Sequence, residues 1–207
     1  MGIDTSDFDN DRKIWEKTAW QIGRDCQPFL SQIHNPFSLY RGMREMSTVL
    51  KKAVRLDDRR PQEMDPLDHD YLNQYFTQEY GAPFRNAIFV SGDFNSAGYF
   101  GRVYSIFPIG EFKFLWSPRI DDLNFAHHDL LDGLFADRTI PPTKVQRAQG
   151  LIKALRNVDY RTTDLKAAAD SGNEIMIRCK EYYALPLEAI DGTGMVTPLW
   201  DIMDQAP

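Results

Sequence analysis

Cysteine is almost missing. Cys26 and Cys179 are the only two among 207 residues. They lie far apart and in no metal-ligand spacing, so they read as free thiols of a reducing compartment. Basic charge is also short: 24 Lys and Arg against 30 Asp and Glu leave a formal net charge of -6. That argues against a general duplex-DNA binder, which carries a basic face, but leaves room for a nucleic-acid substrate at a small local basic cleft. No apolar run approaches membrane-spanning length. The opening MGIDTSDFDNDRK is polar and acidic, unlike a secretory signal. His127 and His128 are adjacent, and adjacent helical residues face different ways, so no shared metal is expected. Internal repeats and low-complexity stretches are absent. A cytoplasmic protein without metal and without membrane contact is expected.

What the chain does have is enough apolar mass for a core, 43% hydrophobic and 13% aromatic. Trp15, Ala19, Ile22, Cys26, Phe29 and Ile33 recur at helical spacing. Asp9 or Asn10 can cap the start, and Pro28 predicts a kink or break. Asn35-Pro36 ends this region, giving an N-terminal helical extension over 1–35 and a main domain over 36–207. SLYRGM (38–43) and VLKKAVRL (49–56) read as strands. Asp65-Pro66 opens a helix whose apolar face is Leu67, Tyr71, Leu72, Tyr75, Phe76 and Tyr80, with Gly81 ending it. RNAIFVSG (85–92) reads as a buried strand and DFNSAGYFG as a short helix or loop. RVYSIFPIG and EFKFLWSP predict a hairpin joined at Gly110. Residues 120–135 and 141–156 look helical, the second with Val145, Ala148, Leu151, Ile152 and Leu155 on one side. Asp164 can cap LKAAAD, and EIMIRCKEYYALPL offers two more strands. Helices and strands alternate irregularly, which favours α+β over a doubly wound sheet.

The strand ends carry the chemistry. Arg41 sits inside an apolar strand with Gly42 behind it, and arginine is rarely buried unless paired. Ser91 ends FVS, with Gly92 letting the backbone turn. Glu174 opens the strand IMI after Asp170-Ser171-Gly172. A guanidinium holds phosphate or ribose oxygens through its fork of donors. A serine hydroxyl fixes a neighbour. A carboxylate bonds a sugar hydroxyl and stabilises the positive charge that forms when a glycosidic bond breaks. Each residue alone also has an ordinary reading: a surface arginine, a turn serine, a solvated glutamate.

LYRG (39–42), FVSGD (89–93) and GNEIMI (172–177) together resemble the three strand motifs of the ADP-ribosyltransferases of the arginine–serine–glutamate class. This is the toxin-like group that includes bacteriophage enzymes. SAGYFG (96–101) is similar to the Ser-Ala-x-Tyr stretch of the related poly(ADP-ribose) polymerases. The resemblance implies a split β-sandwich core with NAD as substrate and no metal. It implies that Arg41 meets the NAD phosphates and ribose, beside Tyr40. Gly42 would clamp the carboxamide through its backbone, Ser91 would position the glutamate, and Tyr99 would stack on nicotinamide. Glu174 would be the catalytic carboxylate. Residues 159–173 would be the substrate-recognition loop, with Tyr160 and Arg161 its most contact-ready side chains. The implied activity is mono-ADP-ribosylation of a macromolecular acceptor, a protein first and a nucleic acid second, in the cytoplasm of the cell or of a phage host.

Two departures matter. The family's Ser-Thr-Ser is Ser91-Gly92-Asp93 here. Gly172 stands where arginine-modifying members carry a first glutamate, with Asp93 and Asp170 as possible substitutes. Water as acceptor would make the chain an NAD glycohydrolase. A degenerate NAD-binding or virion-associated protein is the non-enzymatic reading. The basic cluster Lys51, Lys52, Arg55, Arg59 and Arg60 reads as a solvated loop. Glu181, the other carboxylate nearby, would point away from Glu174 if the strand ran unbroken between them.

Overall fold

The computed structural model describes residues 17–35, 38–44, 49–57, 59, 64–124, 126, 133, 142–190 and 196–198. The expected caps Asp9 and Asn10, together with Trp15, Arg60, His127, His128 and most of 120–135, lie outside them.

Helical residues 17–25, here α1, break at Cys26 and resume as α2, Gln27–Leu30, with Pro28 in its first turn. Proline is tolerated there because a first-turn N–H has no helical partner. The rest follows in order: β1 Tyr40–Met43, β2 Leu50–Ala53, α3 Pro66–Tyr80, a 3-10 turn Phe84–Asn86, β3 Ile88–Ser91, α4 Phe94–Gly98, β4 Arg102–Pro108, β5 Lys113–Trp116, α5 Lys144–Leu155, α6 Leu165–Ser171, β6 Glu174–Arg178, β7 Glu181–Pro186, β8 Glu188–Ile190 and β9 Val196–Pro198. Local chemistry accounts for the helix ends. Asp65 accepts from the Leu67 N–H ahead of α3, Thr143 and Gln146 close a capping box on α5, and Asp164 accepts from the Ala167 N–H ahead of α6. Val145, in the first turn of α5, stays half exposed while Ala148, Leu151 and Leu155 are buried.

Seven strands form one antiparallel sheet in the order β2-β7-β4-β1-β3-β6-β5, and β8 pairs with β9 apart from it. The fold is therefore α+β. The expected β4–β5 hairpin is not formed. Gly110 does turn the chain at φ 66°, but β4 pairs with β1 and β7 while β5 pairs with β6 at the far edge. A turn residue fixes only a local reversal. β7 offers β4 a five-residue ladder, Tyr104↔Pro186 to Pro108↔Tyr182, and the Gly110 N–H is held by the Asp25 carbonyl at 2.8 Å.

One joint in the sheet is weak. β1 and β4 share four register pairs and β3 and β6 share four, but β1 meets β3 only at Tyr40↔Ser91. The two halves part beyond that pair. One core draws Ile88, Val90, Ile175 and Ile177 from one half and Tyr104, Ile106 and Tyr183 from the other, with Ile22, Cys26, Phe29 and Ile33 of the N-terminal region. Burial of these apolar side chains is the main term holding the halves together. A second core lies on the other face of β3–β6–β5, where Leu115 and Met176 pack under Leu72, Phe76, Leu151 and Leu155 of α3 and α5. Among the described residues no helix is long and apolar enough to cross a membrane.

Candidate active site

Ser91 sits at the joint. It pairs in register with Tyr40 on one side and with Glu174 on the other, so Tyr40, Ser91 and Glu174 stand in one row across three strands. Directly paired antiparallel residues share a face. Strand alternation sends Ile175 and Ile177 into the first core and turns Glu174 and Met176 toward the helical layer.

Arg41 is one residue past the joint. Counting on from Tyr40↔Ser91 would set Gly42 opposite Phe89. The ladder stops short of that pair, and the Phe89 carbonyl instead accepts from Arg41 Nη1 at 2.8 Å. The guanidinium thus bridges the parting of the halves. Its Nε is buried and has no hydrogen-bond partner among the described residues. Burial lowers its pKa below the ordinary arginine value. The Ile106 N–H bonds the Leu39 carbonyl, so by alternation Tyr40 and Gly42 direct their N–H and C=O toward β3. For Gly42 that direction lies beyond the end of the ladder. The other side of Gly42 packs directly on α4, where a Cβ would lie 2.0 Å from the Ala97 carbonyl oxygen.

Glu174 is 11% exposed and meets Arg85, 8% exposed, with 3.2 Å between Oε1 and Nη1. Burial raises its pKa to about 7, against the opposing pull of Arg85, the Leu123 N–H and Arg59, while Asp122 adds to the rise. Ser91 supports it through the backbone. The Ser91 hydroxyl donates to the Gly172 carbonyl at 2.5 Å and accepts from the Asp93 N–H at 2.9 Å, pinning the turn that leads into Glu174.

Both departures from the family pattern have local causes. A Cβ on Gly92 would lie 1.7 Å from the Ala169 carbonyl oxygen, so no threonine fits there. Gly172 ends α6 at φ 74°, in the left-handed region that a glutamate adopts only under strain. Both proposed substitutes already hold partners. Asp93 caps α4, accepting from the Asn95 N–H, the Ser96 N–H and the Ser96 hydroxyl. Asp170 pairs with Lys166 at 2.6 Å.

Other expected residues lie elsewhere. Tyr99 is 88% exposed at the end of α4 and is not brought to the Ser91–Glu174 row; Phe94, edge-on to Tyr40 at 5.9 Å, is nearer. Tyr160 is buried, not contact-ready, because Phe76 and Tyr80 of α3 close over its ring. Its hydroxyl lacks a partner, and burial, then the Glu174 charge, raises its pKa well above the ordinary value. Arg161 pairs with Asp159 at 2.5 Å and bridges to Trp116. Glu181 belongs to β7 and pairs with Lys51 at 3.0 Å. It is removed from Glu174 because the strand breaks at 179–180, not because of alternation.

Two arginines join the site that sequence reasoning left out. Arg85 and Arg59 lie against the Phe89 ring, 4.5 Å and 4.2 Å from its centroid. Arg59 is not a solvated loop residue; its Nη1 donates to the Ala87 carbonyl. Burial, with Arg41 and Arg85 close by, lowers its pKa to about 10. The arrangement gathers three guanidiniums and a dry carboxylate at the joint of a sheet. No family model matches the chain, and no curated protein or solved structure is significantly similar to it.

Proposed function

We propose that this chain is an NAD-dependent mono-ADP-ribosyltransferase with a split β-sandwich core, cleaving the nicotinamide–ribose bond and passing ADP-ribose to a macromolecular acceptor. The observation that carries the reading is the Tyr40–Ser91–Glu174 row at the joint of the sheet, where the next residue, Arg41, keeps a buried Nε without a hydrogen-bond partner among the described residues. A buried, unpaired guanidinium donor is costly and suits an anionic ligand. The single-pair joint between β1 and β3 supports two half-sheets with a cleft between them.

In this reading Arg41 meets the diphosphate and Gly42 offers its backbone edge to the carboxamide. Ionised Glu174 bonds the ribose hydroxyl and stabilises the oxocarbenium-like transition state as nicotinamide leaves with the bonding electron pair. Water or an acceptor nucleophile then attacks the anomeric carbon and loses its proton.

Gly172 stands where arginine-modifying enzymes carry a first glutamate, and Asp93 and Asp170 already hold partners. That favours an acceptor other than arginine, and it equally favours water as acceptor, an NAD glycohydrolase. The test is nicotinamide release from NAD by purified protein. Binding of NAD without release, even with candidate acceptors present, would instead leave a binding protein.

A further inference from the structure

We infer that Arg59 is a further ligand-binding residue, forming with Arg41 a two-guanidinium seat for the diphosphate of a nucleotide. The inference deepens the reading of this cleft as a dinucleotide site and rests on it for the nucleotide.

Beyond Tyr40↔Ser91 a continued ladder would set Gly42 opposite Phe89 and residue 44 opposite Ala87. The ladder ends, and those two carbonyls on the β1-facing edge of β3 take guanidiniums instead. Phe89 accepts from Arg41 and Ala87 from Arg59. Ala87 is extended, at φ -75° and ψ 174°. Carbonyls two residues apart on an extended chain point the same way, roughly 7 Å from one another. Two guanidiniums anchored on neighbouring carbonyls can close on a diphosphate from its two ends, each phosphate met by one set of donors.

The charges support the match. A carbonyl oxygen satisfies a donor but cancels no full charge. Glu174 is hydrogen-bonded to Arg85, while among the described residues the hydrogen-bond acceptors of Arg41 and Arg59 are backbone carbonyls. Arg41 keeps a buried Nε with no acceptor. The Arg59 guanidinium also lies over the Phe89 ring, 4.2 Å from its centroid. Like charges gathered in a half-buried place repel, and a bound anion of two or more charges relieves that repulsion.

The experiment titrates the full chain with inorganic pyrophosphate, ADP and adenosine by calorimetry, comparing the unmutated protein with Arg59→Gln. The expected result is binding of pyrophosphate and ADP, weakened about tenfold or more by the substitution, with adenosine binding unchanged. A second arm follows the arginine Nε–H resonances of the unmutated protein, where pyrophosphate should shift both Arg41 and Arg59. That arm decides the matter if Arg59→Gln does not fold. Unchanged ADP affinity in the folded variant, or no shift at Arg59, would overturn the seat. Pyrophosphate binding without ADP binding would overturn its assignment to a nucleotide. Nicotinamide release alongside Arg59-independent ADP binding would remove the seat and keep the transferase. Arg59-dependent ADP binding without nicotinamide release would do the reverse.

Discussion

Arg85 donates to Glu174 across 3.2 Å with both side chains almost out of water. The Arg85 guanidinium lies over the Phe89 ring, 4.5 Å from its centroid. A carboxylate in such a place keeps its proton unusually long, and its pKa reaches about 7 in spite of the arginine.

A pH dependence follows. Only ionised Glu174 stabilises a cationic sugar, so turnover should rise through about pH 7 and then level off. Stability moves the other way. The folded state holds a proton that the unfolded chain releases near 4.5, so stability falls as pH rises from 4.5 to about 7. The total is on the order of 3 kcal/mol. Denaturant melts of wild type and Glu174→Gln across this range check it; the variant should lack that slope.

Removing the partner charge sharpens the effect. Arg85→Ala should push the Glu174 pKa higher and move the rise in turnover to more alkaline pH. Breaking a buried pair also costs about 3–5 kcal/mol where the survivor is charged. The loss should therefore be larger at pH 8 than at pH 5. A pH–rate profile with its midpoint unmoved would contradict the coupling.

Ser91→Ala deletes the bonds to Gly172 and Asp93 and loosens the turn into Glu174. Stability should drop by about 1–3 kcal/mol. Turnover should fall while the KM for NAD stays within a factor of about two, since the hydroxyl acts through the carboxylate. Ser91→Thr, which keeps the hydroxyl, should restore most of it.

Reverting the two departures should not create an arginine-modifying enzyme. Gly92→Thr places its Cβ against the Ala169 carbonyl, and the chain should fail to fold stably. Gly172→Glu should cost about 1–2 kcal/mol for its left-handed backbone and bring no labelling of arginine-rich acceptors.

These expectations draw on features of unequal visibility. Strands β1, β3 and β6 were legible as short apolar runs flanked by or containing turn-forming residues; Arg41 lies inside β1, Ser91 closes β3 and Glu174 opens β6. The caps Asp65 and Asp164 were legible for the same local reason. Arg59 was not, because DDRRPQEM has the composition of a solvated loop. Its burial depends on where β1 and β3 part, a contact between distant segments. Arg85 was hidden beside an obvious strand. Tyr160 looked like a loop aromatic because nothing near it in the chain announces Phe76 and Tyr80 as neighbours. The β4–β5 hairpin misled because Gly110 marks a turn while pairing is decided by β7 and β6.

The most direct measurement is nicotinamide release from NAD by the purified protein, with and without bacterial lysate, alongside Glu174→Gln. Release should depend on Glu174, with labelled ADP-ribose on a lysate component if the acceptor is macromolecular and free ADP-ribose if it is water. NAD bound but no nicotinamide released in either condition, or release that persists in Glu174→Gln, would contradict this expectation.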